Sequence, residues 1–142
     1  MQPANIGQLD VIIFGLDPYG RNVARELTGR GVRILRVEFD PEAVRLHHKE
    51  GIHTLYGDIE DPELFHDLPL ESARLVISTI PDRDTSMVLL HSLQHHAYAG
   101  RIALTAHSHR HSSELQHAGA DVVLLPFRDA AREAADILVA QM

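Results

Sequence analysis

Residues Val11 to Leu27 read VIIFGLDPYGRNVAREL, and this stretch decides the fold. Val11-Ile12-Ile13-Phe14 is an unbroken apolar run rich in β-branched residues, the pattern of a strand buried on both faces of a parallel sheet. Gly15-Leu16-Asp17-Pro18-Tyr19-Gly20 follows as a turn. Val23, Ala24 and Leu27 then recur at helical spacing until Gly31 ends the helix. Strand, glycine turn and helix in that order open a βαβ unit.

The same alternation fills the rest of the chain. Val32 to Val37 reads as a second strand, a helix begins at Pro41 and runs to Gly51, and His53 to Tyr56 is a short third strand. Asp61-Pro62 is an N-cap and first-turn proline for a short helix through Leu68. Leu75 to Thr79 is the fourth strand. Asp82 to Tyr98 is the longest helix, with Met87, Leu90 and Leu93 on one stripe and Gly100 as its stop. Ile102 to Ala106, a helix from Ser108 to Ala118 closed by Gly119, Val122 to Leu125, and a last helix from Pro126 to Met142 complete the pattern. Ala131, Ala134, Ala135 and Leu138 share one face of that last helix. Six strands each followed by a helix predict a single Rossmann-like, doubly wound parallel α/β sheet with strand order 3-2-1-4-5-6 and no domain boundary in residues 1–142.

Composition narrows the function classes. The 142 residues are 44% hydrophobic and 23% charged, which is the balance of a globular domain with a core. Thirteen basic against 20 acidic residues give a net charge of -7, the wrong sign for a nucleic-acid surface. There is no cysteine, which excludes disulfides, thiolate metal sites and thiol nucleophiles. Apolar runs such as Val11 to Phe14 and Met87 to Leu90 fall far short of the ~18 residues of a membrane span. Met1 to Asp10 lacks the basic-then-apolar pattern of a secretion signal. A cytoplasmic domain that neither inserts into a membrane nor binds nucleic acid is the expectation.

The turn after the first strand occupies the place of a G-x-G-x-x-G phosphate loop. Gly15 permits the tight turn and Gly20 the close helix–strand approach, but the middle glycine is replaced by Asp17. Glu38 ends the second strand, 18 residues past Gly20, where a carboxylate accepts hydrogen bonds from ribose hydroxyls and repels a 2′-phosphate. Asp17 acts against a dinucleotide. Asp-Pro is a good N-cap and first-position pair, so its carboxylate can take the N–H groups that a phosphate would use. It also sets a negative charge beside the pyrophosphate position, at a cost of about 1–4 kcal/mol at 4 Å. Weakened dinucleotide affinity follows, and a mononucleotide such as AMP, or an empty site, becomes an alternative.

Together with VEFDPEAV from Val37, LYGDIEDPELF from Leu55, VISTIPD from Val76 and AGADVVLLPF from Ala118, these motifs resemble the RCK or TrkA N-terminal domain that regulates potassium transport. The resemblance runs from Val11 to Phe127. It looks most like the cytosolic tail of glutathione-regulated, Kef-type cation:proton antiporters. It implies a regulatory domain that binds NAD(H), AMP or another adenine nucleotide, pairs as a homodimer through helices of its second half, and biases a membrane cation transporter or antiporter. By the same resemblance Gly15, Leu16, Asp17, Tyr19 and Gly20 form the phosphate turn and Glu38 holds the ribose. Asp58 lies near the adenine, and Thr79, Ile80 and Pro81 form the fourth-strand edge beside the ligand. Asp17 departs from the family's usual glycine. The chain ends in the last helix, without the second ligand-binding lobe that many of these regulators carry. An interaction module that dimerises over a degenerate site, and a fragment of an NAD-dependent oxidoreductase, are the alternatives.

Eleven histidines are a high count for this length. His107, His109 and His111 alternate, so three imidazoles share a face if the backbone is extended and diverge if it is helical; a solvated loop is preferred to a metal site. The adjacent pairs His47-His48 and His95-His96 read as surface residues on helices. As a group the histidines shift net charge between pH 7 and 5, which makes pH sensing conceivable. Ser78, Thr79 and Thr105 end strands where catalytic groups often lie. No nucleophile, base and acid can be assembled around them, so they read as polar ends facing a ligand crevice rather than as an enzyme's machinery.

Overall fold

The computed structural model describes residues 9–15, 17–49 and 53–142, and of residues 47–49 the backbone only. Leu16 and Gly51 lie outside the described residues, and so do the side chains of His47 and His48. In chain order the elements are β1 (Val11–Phe14), α1 (Pro18–Gly29), β2 (Ile34–Glu38), α2 (Pro41–Lys49), β3 (Thr54–Tyr56), α3 (Leu64–Asp67), β4 (Leu75–Ser78), α4 (Arg83–His95), β5 (Arg101–Thr105), α5 (His109–Ala118), β6 (Val122–Leu124) and α6 (Pro126–Val139). The sheet order is β3-β2-β1-β4-β5-β6 with every neighbouring pair parallel, the doubly wound arrangement expected of the sequence. β1 is central and pairs with β2 (Val11 with Ile34) and with β4 (Val11 with Leu75).

Alternation along the strands divides the core between two faces. Val11 and Ile13 face α1, where Ala24 is fully buried among Ile34, Ile77 and Ala103. Ile12 and Phe14 point the other way, into a larger cluster with Leu64 and Phe65 of α3, Leu89, Leu90 and Leu93 of α4, and Leu115 of α5. At the opposite end of β1 from the glycine turn, Asp10 accepts hydrogen bonds from the Arg33 N–H at 3.0 Å and from its guanidinium, with Arg74 at 3.2 Å. The hydrogen bonds from Arg33 hold the Asp10 carboxyl down at about 2.

Three helices depart from the sequence reading. Helix α3 is one short turn because Asp61 spends its capping capacity on a preceding turn, accepting from Glu63 N at 3.0 Å. Leu68, held extended ahead of Pro69, ends that helix. Helix α4 stops at His95, not Tyr98, because Ala97 turns left-handed (φ 54°) and Tyr98 N–H returns to Leu93 O at 2.9 Å. Gly100 is therefore not the stop. It supplies space, since a Cβ there would strike the Tyr98 hydroxyl and lie 2.8 Å from Arg74 O. The longest helix is α6, at 14 residues against 13 for α4, and the face carrying Ala131, Ala134, Ala135 and Leu138 is exposed throughout. Among the described residues no helix is long and apolar enough to cross a membrane.

Candidate functional site

The carboxyl ends of β1, β2 and β4 meet where the chain reverses its winding, the position at which open α/β sheets hold ligands. A cavity of about 550 Å³ opens there, within the usual range for a small-molecule site. Gly15, Asp17, Glu38, Asp58, Ile80 and Pro81 line it, so six of the ten residues singled out in the sequence converge on one cleft.

The turn at its floor is tightly specified. Gly15 adopts φ +105°, and a Cβ there would lie 2.6 Å from Thr79 Oγ1. A Cβ on Gly20 would lie 2.5 Å from both Gly15 O and Thr79 Oγ1, so a side chain at either position would separate α1 from the sheet. Asp17 is the N-cap of α1. Its Oδ1 accepts the Gly20 N–H at 3.0 Å and the Thr79 hydroxyl at 3.1 Å. Thr79 N–H donates to Phe14 O at 3.0 Å, which binds the end of β4 to the end of β1.

Gly20 and Thr79 thus lie beneath the turn, outside the cavity lining. Tyr19 also stands outside the lining, partly buried; burial pushes its hydroxyl pKa up, with the carboxylates of Asp129 and Asp17 adding to the shift. The polar strand ends do not face a crevice. Ser78, Thr79 and Thr105 are each no more than 1% exposed, and Thr105 Oγ1 donates to Ser78 O at 2.8 Å. Their hydroxyls secure neighbouring backbone because a buried donor must find an acceptor.

Glu38 sits at the end of β2 and accepts the N–H groups of Phe39 (3.0 Å) and Asp40 (3.1 Å), both on Oε1. Gly57 N–H donates to Glu38 O at 3.0 Å and brings the loop after β3 alongside. There Asp58 Oδ1 accepts the Glu60 N–H at 2.9 Å, which fixes its carboxylate at the cleft edge. Phe14, Val37, Phe39, Gly57, Ile59, Glu60 and Thr85 complete the lining and were not singled out in the sequence as site residues. Phe39 carried a signal, as an aromatic directly after the strand-end acid; it is 66% exposed at the cleft lip. Thr85 is placed by Asp82, the N-cap of α4, which accepts its N–H at 2.9 Å and its hydroxyl at 2.7 Å and whose pKa is lowered by those bonds. Among the described residues the lining holds four carboxylates and no Lys, Arg or His.

The histidines lie elsewhere. Ser108 caps α5 through the His111 N–H at 3.1 Å, so His109 and His111 are helical and His107 precedes the cap. Among the described residues no group of three His, Asp or Glu side chains could hold a metal ion. His96 is not a plain surface residue: it is half-buried, its ring 5.7 Å from Phe65 and 4.9 Å from His66.

Comparison with known proteins agrees with the geometry. The Glutathione-regulated potassium-efflux system protein KefC of Escherichia fergusonii is 28% identical over 111 residues, 78% of this chain and 18% of that protein. The Ktr system potassium uptake protein C of Bacillus subtilis is 25% identical over 127 residues, 89% of this chain and 58% of the relative. The chain thus spans less than two thirds of either protein. The crystal structure of the NAD(P)-binding domain of an exopolyphosphatase-related protein from Archaeoglobus fulgidus superposes with a TM-score of 0.82 at 26% identity, covering 94% of this chain and 99% of that one. The TrkA-N domain model matches residues 11–126, from the first residue of β1 to the first of α6, and the chain belongs to that family.

Proposed function

We propose that this chain is the ligand-sensing domain of a potassium or other monovalent cation transporter or cation:proton antiporter, acting at the cytoplasmic face of the membrane as a regulator rather than as an enzyme. The observation that carries the proposal is the cleft itself. Glu38, Asp58 and the Gly15 turn meet around one cavity at the switch point of the sheet. Glu38 uses Oε1 for its own backbone, which fixes the side chain and leaves the second oxygen for the hydroxyls of a ribose. The ligand class is an adenine nucleotide, NAD(H) or AMP, and the Archaeoglobus relative, an NAD(P)-binding domain, supports the dinucleotide. Asp17 weakens the grip on its phosphates.

Regulation works by differential affinity. A ligand that binds one arrangement of paired domains better than another shifts that equilibrium, and the transporter feels the shift. Pairing is through the second half as a homodimer, where α6 exposes Phe127, Ile137, Leu138 and Val139.

Thermal denaturation of the purified chain with NAD, NADH, AMP, ADP and ATP tests the sensing role. At a hundredfold excess over Kd a single-site ligand adds about 2.7 kcal/mol, a shift of several degrees. Glu38→Gln removes that shift. If no compound in the series, and no free nucleoside, raises the melting temperature, the chain is a dimerising module with a degenerate site. Potassium retention by cells with and without the chain tests the transport role, and equal retention would refute it.

A further inference from the structure

In a dinucleotide site, the first turn of the helix after β1 offers its free N–H groups to phosphate oxygens. Here two of the first turn's three N–H positions, Pro18 and Gly20, are closed to a ligand. Pro18, the first residue of α1, has no N–H. The Gly20 N–H is taken by Asp17 Oδ1 at 3.0 Å, and the Arg21 N–H by Asp17 O at 2.9 Å. The Thr79 hydroxyl, which could have reached toward a ligand, also ends on Asp17 at 3.1 Å. The protein's own carboxylate thus stands at the helix N-terminus, where the anion would sit, and takes the Gly20 N–H and the Thr79 hydroxyl.

The surrounding charge points the same way. Glu38, Asp58 and Glu60 join Asp17 in the lining, with no cationic side chain opposite among the described residues. A phosphate would enter a negative potential with nothing to neutralise it. The rest of the cleft suits a neutral molecule with one polar edge. Phe14, Val37, Ile59 and Ile80 supply apolar surface, and the exposed ring of Phe39 stands at the lip as a stacking platform for a base.

From this arrangement we infer that the cleft selects an uncharged nucleoside over nucleotides. The inference rests on the reading that Glu38 holds a ribose in this cleft, and it changes the class of signal. The domain reports free nucleoside, and phosphorylation of that nucleoside removes the signal.

Titration calorimetry with adenosine, AMP and NADH, each with and without Mg²⁺, tests this on the whole chain. Adenosine binds at least tenfold tighter than AMP, equivalent to about 1.4 kcal/mol, and AMP tighter than NADH. Asp17→Asn keeps an oxygen to cap Gly20 and removes the charge. It narrows the adenosine–AMP ratio, and circular dichroism of the variant confirms that α1 is intact. Asp17→Gly widens the effect by freeing the N–H groups as well. AMP or NADH binding as tightly as adenosine, with or without Mg²⁺, overturns the inference but leaves the nucleotide-sensing reading standing. An adenosine–AMP ratio unchanged by Asp17→Asn also overturns it. Failure of all three compounds to bind removes the reading on which the inference rests.

Discussion

Helix α4 turns Ser86, Leu89, Leu90 and Leu93 fully into the core, while α6, one residue longer, buries none of its residues. Their sequences do not announce this contrast. Phe127, Ala131, Ala134 and Leu138 of α6 recur at the i, i+4, i+7 spacing of a core-facing stripe, with Arg128, Arg132, Glu133 and Asp136 on the other side. Amphipathicity states that a helix has an apolar face, but not which surface covers it. For α4 the cover is the sheet of its own chain, beneath Phe14, Val76 and Leu104. For α6 the exposed Phe127, Ile137, Leu138 and Val139 leave apolar surface in water.

The most direct way to break the contrast is to apply the same truncation to both helices. Leu90→Ala removes a side chain with no exposed surface and costs about 2–5 kcal/mol in urea denaturation. Leu138→Ala, at a residue 64% exposed, costs the isolated chain no more than about 0.5 kcal/mol at low protein concentration. Equal costs would mean that α6 packs on its own sheet.

The end of α4 sharpens the contrast further, because it is anchored where the end of α6 is not. The Tyr98 hydroxyl donates to Ala73 O at 2.8 Å, so Tyr98→Phe costs about 1 kcal/mol at neutral pH. Burial pushes that hydroxyl up to about 12, with Asp121 adding to the shift. The neutral form is the bonded one, and the unfolded chain ionises near 10. The stability is therefore complete below pH 10 and is lost as pH rises from there toward 12. Denaturation curves for parent and variant should separate at pH 8 and converge by pH 12; a constant gap would show that ionisation at Tyr98 is not involved. Ala97 has a smaller effect of opposite sign. At φ 54° it is strained by its Cβ, so Ala97→Gly raises stability by about 0.5–1 kcal/mol, read as a melting shift of a few degrees.

These residues mark where sequence reasoning succeeds and where it stops. The six strands, their order and the meeting of Gly15, Asp17 and Glu38 followed from local patterns, because apolar runs and glycine turns are dictated within a few residues of themselves, whereas Asp58 was placed by the family resemblance. Thr79 was misplaced as facing a crevice because its partner, Asp17, lies 62 positions away, and only the folded sheet makes them neighbours. Ala97 gave no sign, since nothing about an alanine signals a left-handed cap. The glycine three positions later looked like the stop but is there to admit the Tyr98 ring. Phe39 was not singled out, although an aromatic directly after the strand-end acid stands at the cleft lip.

The smallest effect on the fold has the largest meaning for assembly. Ile137→Ser with Leu138→Ser replaces two exposed side chains of α6, at 57% and 64% exposure, and changes the stability of the isolated chain by only about 0.5 kcal/mol. If that apolar stripe is covered by a second copy, the same pair of changes removes apolar area from both sides of a symmetric contact, so each substitution counts twice. Sedimentation of the parent chain then gives a dimer over a concentration range in which the double variant is a monomer. Ala131, at the centre of the stripe, offers the complementary change: Ala131→Arg places a charge where the two helices would approach and should dissociate the pair as fully. A parent chain that is monomeric at every concentration would instead give the face to a partner of different sequence, and α6 would be the part of this domain that touches the transporter.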